Sequence, residues 1–305
     1  MTDLHRPGWR GRTMLGLGYA FLYLPILLLV VFSFNASRLS STWSGFSLKW
    51  YAALLKDQSM INAAWVSLKV AFLSASAAVV LGTLAALVLT RFKPFRGKTL
   101  LGALVTSPMV MPEVVTGLSL LLMFVTLAGP LGVSPKGMLS IFIAHVTFTL
   151  AFVSVIVSSR LADLDKSLEE AAMDLGATRV KVFFVITLPI IAPALMSGWL
   201  LAFTLSLDDV VISSFVAGPD ATTLPMKIFS TVRLGLNPKI NALASVLVAA
   251  VSVAALVAWW LGYRGERRRQ RDMQMAVKDD MGFVAADTAR PPMVDAATAQ
   301  SPKPA

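Results

Sequence analysis

The sequence predicts an all-α polytopic membrane fold with six spans, and three observations predict it. Of 305 residues, 56% are hydrophobic and only 14% charged, and the mean hydropathy is +0.71, outside the range of soluble domains. The apolar residues form runs of about twenty or more, long enough to cross a bilayer, rather than short amphipathic stripes. Lys and Arg crowd into alternate gaps between those runs.

In order, the spans are expected at about 13–34, 64–90, 100–128, 138–158, 190–216 and 240–263. The first follows Arg6, Arg10 and Arg12. It is longer than a signal-peptide core and no A-x-A cleavage pattern follows, so it is read as a retained span. Arg91, Lys93, Arg96 and Lys98 fill the second gap. Arg160, Lys166, Arg179 and Lys181 fill the fourth, and Arg264, Arg267, Arg268, Arg269 and Arg271 follow the last span. The remaining gaps are poorer in basic residues, so both termini and the segment at about 159–189 are expected in the cytoplasm.

Residues 1–12 form a short leading segment, 13–263 the six-span domain, and 264–305 a tail that begins basic. Trp259, Trp260 and Tyr263 mark an interfacial belt before that tail. Beyond about residue 272 the Ala, Asp, Pro and Thr content predicts disorder. No internal repeat is evident.

The net charge of +10 reflects these topological clusters and does not describe a nucleic-acid surface. With no cysteine and only His5 and His145, thiolate chemistry and histidine-based metal sites are excluded. No catalytic nucleophile–base arrangement stands out. The tract Lys93-Pro94-Phe95-Arg96-Gly97-Lys98-Thr99 ends like a phosphate loop, but Phe92 stands where the first glycine is required. Any ATP chemistry belongs to another chain.

The most informative segment is 170–189, EAAMDLGATRVKVFFVITLP. Ser167 with Glu170 reads as a capping box that starts a helix near Leu168. Leu168, Ala171, Ala172 and Leu175 share one narrow apolar face whose alanines let a partner approach closely. Gly176 suits a left-handed C′ position, Thr178 caps a second helix, and Pro189 opens the next span. A helix, a tight turn and a helix result. Glu170, Ala171, Ala172, Gly176, Ile186, Leu188 and Pro189 together resemble the EAA loop of bacterial ABC-importer permeases, where a separate ATPase docks.

A second resemblance narrows the family. Pro108-Met109-Val110-Met111-Pro112-Glu113, Leu205–Ser213 with its Asp208-Asp209 pair, Phe215–Pro219 and Thr223–Ser230 are similar to the polyamine branch, most of all to the second permease subunit of spermidine and putrescine importers. The resemblance implies a heterodimer with another permease, a homodimeric ATPase that binds ATP and Mg, and a periplasmic polyamine-binding protein. It also implies a bacterial inner-membrane location. This chain itself would hold no cofactor.

Intramembrane acids suit a polyammonium cargo. Glu113 lies about 20 Å along the third span counted from Leu100, where a carboxylate costs about 2.5–3.5 kcal/mol unless it faces a polar cavity or a partner. Pro108 and Pro112 interrupt the backbone ladder just before it. Asp208 and Asp209 fall about 27 Å beyond Ile190. They are about 100° apart around a helix and need not share a cavity, and Asp208 is the weakly preferred ligand.

Other readings stand beside these. Glu113 also suits pairing with a basic residue of the other permease, or capping of a half-helix. The aspartates also suit a wet headgroup zone or a loop cap. His145 is read as a hydrogen-bonded packing residue, and Trp199 and Phe203 as packing aromatics. Leu224, Ile228, Phe229 and Val232 outline an amphipathic helix. The alternatives for function are a permease of another solute, such as iron, sulfate or thiamine, and an ATP-independent secondary transporter. Buried cations would favour an anion, and Lys69 is the exception to a mainly acidic set.

Overall fold

The computed structural model describes residues 8–38, 42–132, 134–234 and 238–253, and scattered positions up to 264. Readings that fall on His5, Arg6, Trp259 and residues 265–305, the tail included, lie outside the described residues. Two compact units divide the chain, 1–243 and 244–305. The first carries the packing described below, and the described residues of the second are helical.

The helices are α1 (Trp9–Ser33), α2 (Lys49–Leu55), α3 (Gln58–Arg91), α4 (Lys98–Val110), α5 (Glu113–Leu131), α6 (Met138–Asp163), α7 (Lys166–Asp174), α8 (Arg179–Val182), α9 (Leu188–Asp208), α10 (Val211–Val216) and α11 (Leu224–Leu234). A π-helical turn at Phe183–Thr187 joins α8 to α9. An apolar helix, α12, runs Pro238–Val253. Extended structure among the described residues is limited to one antiparallel bridge, Asn35 with Phe46.

Among the described residues, five helical stretches are long and apolar enough to cross a membrane: α1, α3, α5, α6 and the run Arg179–Asp208. The expected sixth span, 240–263, coincides with α12 as far as Val253 and then enters partly undescribed residues.

Two expected spans are broken. The span at 100–128 is not continuous: α4 stops at Val110, Met111 is extended, and Pro112 precedes α5. Proline disfavours the helical region for its predecessor and supplies no donor; the ladder restarts at Pro112, whereas Pro108, also expected to interrupt it, stays inside α4. With 13 residues, α4 is about 20 Å long, too short for the hydrocarbon core. The span at 190–216 ends at Asp208, and α10 follows after a turn at Asp209 and Val210.

The centre of the first unit is the packing of α3, α6 and α9. One face of α3 consists of small residues, with Ala71, Ser74, Ala75, Ala78, Gly82 and Ala86 all buried. Small side chains let helix backbones approach closely, the usual means of helix association where no hydrophobic drive is available from lipid. Val153 of α6 is the wedge. A Cβ built on Gly82 would lie 2.9 Å from Val153 Cγ1, and one on Gly198 of α9 would lie 3.5 Å from it. One valine therefore sits between two glycines on different helices.

Polar tethers add register. Trp199 Nε1 donates to Ser76 Oγ at 3.1 Å, linking α9 to α3. Trp199 stacks on Phe203 and meets Phe72 edge-on, consistent with the packing role expected of these aromatics. A second cluster joins Leu120 and Phe124 of α5 to Ile141, Ala144 and Phe148 of α6 and to Ile212 and Val216 of α10. At α11, Leu224 is buried and its backbone N–H donates to Ser67 Oγ of α3 at 2.7 Å. Phe229 and Val232 stay exposed, so the expected amphipathic helix is present and only one side of it is covered.

Candidate functional site

The elbow between α6 and α9 is built by three local devices. Asp165, in extended conformation, caps α7 by accepting the Ser167 backbone N–H at 2.9 Å. The Ser167–Glu170 capping box is therefore not formed, and the helix starts at Lys166 instead of near Leu168. The short Asp165 side chain reaches the free donor directly, and Glu170 is left exposed. That hydrogen bond from the Ser167 backbone holds the Asp165 carboxyl below its ordinary range. The cap's contribution is thus present at neutral pH and is lost as pH falls through the lowered value.

At the other end Gly176 has φ +84°. Its N–H donates to Met173 O at 2.9 Å, and the Ala177 N–H donates to Ala172 O at 3.0 Å. These two bonds make a complete Schellman motif, which satisfies carbonyls that the helix end would otherwise orphan. Thr178 then accepts the Lys181 N–H at 3.4 Å and caps α8, as its position predicts.

The second helix does not lie apart from the next span. It passes through the π-helical turn, where the Leu188 N–H donates to Phe183 O, and continues into α9 with Pro189 in the first turn. Proline has no N–H to give to the ladder, and a locally widened helix accommodates that gap.

No residue of α7 is buried. Leu175 is 90% exposed, and Leu168, Val180, Phe184 and Val185 are exposed beside it in sequence. Of the other residues singled out, Ala171 and Pro189 are exposed, whereas Ala172, Ile186 and Leu188 are half-buried.

One residue of α7 does reach inward, and it is Glu169. Its Oε1 accepts the Thr187 hydroxyl at 2.8 Å, and Oε2 lies 3.3 Å from Arg91 Nε at the end of α3. Nε makes no hydrogen bond, so this contact is an ion pair. Both side chains are largely sheltered, at 13% and 17% exposure. Arg91 Nη2 also donates to Leu164 O, at the end of α6, at 3.4 Å.

The membrane acids separate into two kinds. Glu113 is the first residue of α5, right after the Pro112 break. It is exposed and makes no side-chain hydrogen bond or ion pair among the described residues. Its position is a helix start and not the middle of a continuous span, and a carboxylate there is favoured by the helix dipole. Asp208 ends α9 and is also exposed.

Asp209 is different. Its side chain is 5% exposed, and it accepts the backbone N–H of Ile212 at 3.1 Å and of Ser213 at 2.7 Å, capping α10. His145 Nε2 lies 3.1 Å from Asp209 Oδ2, and Ser206 Oγ lies 2.7 Å from His145 Nδ1. With Nε2 donating to the carboxylate, Nδ1 accepts the Ser206 hydroxyl proton. Ser213 Oγ sits 3.1 Å from Nε2. The histidine is 1% exposed, so this polar knot is closed to solvent and joins α6, α9 and α10.

Sequence reasoning missed the pairing of His145 with Asp209, and it missed Glu169 and Arg91. A signal for the knot does exist: Ser206, Asp209 and Ser213 recur at intervals of three and four, which places them along one helical face. Among the described residues, no group of three or more His, Asp or Glu is placed to hold a metal ion.

Residues 78–271 match the family described as the binding-protein-dependent transport system inner membrane component. The chain belongs to this family. It is therefore a multi-pass inner-membrane transport component and not an enzyme. The putrescine transport system permease protein PotI of Escherichia coli strain K12 is 57% identical over 272 residues, covering 89% of this chain and 96% of that protein. The spermidine/putrescine transport system permease protein PotC of the same strain is 45% identical over 230 residues, covering 75% and 85%. The crystal structure of a bacterial ABC transporter involved in import of the acidic polysaccharide alginate has a chain with the same fold. Its TM-score is 0.63 at 15% identity, covering 86% of this permease and 99% of that chain.

Proposed function

We propose that this chain is one permease subunit of an ATP-driven importer that moves polyamines, putrescine or spermidine, across the bacterial inner membrane. The observation that carries the cargo is the likeness to PotI over nearly the whole chain. The second permease of a heterodimer, a homodimeric ATPase binding ATP and Mg, and a periplasmic polyamine-binding protein complete the assembly. Both termini and the elbow face the cytoplasm in this reading, which the Lys and Arg distribution supports.

The elbow is the docking point. Its capped, Schellman-ended helix carries Glu170 and the apolar side chains of Leu168 and Leu175 on an uncovered surface. Exposed apolar groups of this kind are stabilised by a partner. Rearrangement of the ATPase pair would then move α7, and through it the bundle. Glu113 and Asp208 are the acids available to a passing polyammonium. Asp209 contributes by holding the α9–α10 turn.

Uptake by the full complex in proteoliposomes tests the cargo. Labelled putrescine and spermidine should accumulate with ATP and binding protein present, and sulfate should not. Accumulation of sulfate without either amine would overturn the assignment.

A further inference from the structure

We infer that Arg91, Glu169 and Thr187 form a clamp that transmits movement of α7 to the bundle, making Arg91 and Thr187 positioning residues for coupling. The inference rests on the elbow being the ATPase dock and adds where the force goes next. Among the described residues, Glu169 provides the only side-chain hydrogen bond or ion pair from α7 to another helix or turn. Everything else in α7 is joined to the protein by its two chain ends and by surface contacts that bury no residue.

The single carboxylate reaches two elements directly and a third through Arg91. It holds Thr187 at the end of the π-helical turn that leads into α9. It holds Arg91 at the end of α3, and Arg91 in turn donates to the carbonyl of Leu164, two residues before α7. Hydrogen bonds and ion pairs involving a charged partner in a sheltered site are stronger than their exposed equivalents. A displacement of α7 is therefore passed to the end of α3 and the start of α9. Without the clamp, no side-chain hydrogen bond or ion pair ties α7 to α3 or to the start of α9, and its motion reaches them only through its two chain connections.

The sequence offers a reason for the arrangement. Glu169 and Glu170 are adjacent and about 100° apart around α7, so one faces inward to the clamp and the other outward to the surface.

The test uses the complete transporter, with putrescine as the cargo, and reads putrescine moved per ATP hydrolysed together with the amount of ATPase that co-purifies. Arg91→Gln and Glu169→Gln should each lower the transport-to-hydrolysis ratio about tenfold while ATPase recovery stays unchanged. The double variant should be no worse than either single one, and Arg91→Lys should recover part of the loss. Thr187→Val removes one hydrogen bond without stranding a charge, and it carries the same reading, a loss of about threefold, if the charge variants fail to assemble. Multiplicative losses in the double variant, or an unaltered ratio in Thr187→Val and Arg91→Gln, would overturn the clamp. Gly176→Val serves as the control. If it uncouples while the clamp variants do not, only the clamp is wrong. If it too couples normally, the docking assignment itself fails.

Discussion

The elbow at 165–187 and the knot around His145 are both small polar constructions on the same bundle, yet they are finished in opposite senses. The knot satisfies itself: each side-chain polar atom of His145 and Asp209 has a partner within 3.1 Å, and the cluster is closed to water. The elbow satisfies its backbone through Asp165, Gly176 and Thr178 but leaves its apolar side chains, Leu175 above all, without cover. A region complete in itself is suited to holding a shape. One complete only in its backbone is a rigid part waiting for a second surface. On the docking proposed here, the difference separates what stabilises this protein from what its partners act on.

The largest effect should come from opening the knot. Asp209→Leu removes the cap of α10 and leaves the buried His145 Nε2 with only the Ser213 hydroxyl in place of the carboxylate. The cost should be about 3–5 kcal/mol, the scale for removing one member of a buried pair. Thermal unfolding of the detergent-purified protein should show a large drop. A change below about 1 kcal/mol would mean that water or a rotated neighbour replaces the carboxylate.

Next is the wedge. Gly82→Leu forces a side chain into the space that Val153 fills, and overpacking of this kind costs about 1–3 kcal/mol. Combining it with Val153→Ala should restore part of the loss, because the two positions touch. Failure of that compensation would show that α3 and α6 separate as a whole.

Gly176→Val should have a smaller structural effect. Nothing lies within 4 Å of the added Cβ, so the cost is the left-handed backbone alone, about 1–2 kcal/mol. Its functional effect should be much greater, with the protein inserted but uptake and ATPase stimulation lost. The comparison between the two regions would be blurred if Gly176→Val unfolded the bundle as Asp209→Leu does.

The same contrast explains what was legible in the sequence. The helix–turn–helix character of the elbow and the roles of Gly176 and Thr178 depend on neighbours within five residues, and such local rules can be read from a string of letters. The one local error, the capping box, arose because two capping arrangements compete for the same donors and Asp165 is nearer. The breaks at Pro112 and Asp209 were half visible: the prolines were noted, but whether a helix bends or stops depends on what packs beside it. The knot was not visible because His145 meets partners 61 to 68 positions away. Glu169 was overlooked beside Glu170 because only the position of α3 decides which of two adjacent carboxylates turns inward.

The most direct measurement uses the absence of any cysteine in this chain, which makes an introduced thiol unique. Leu175→Cys should be cross-linked to the ATPase subunit in the assembled transporter and should resist a membrane-impermeant thiol reagent added to intact cells. Labelling from outside the cell, or no cross-link to the ATPase from a complex that still hydrolyses ATP, would contradict the account.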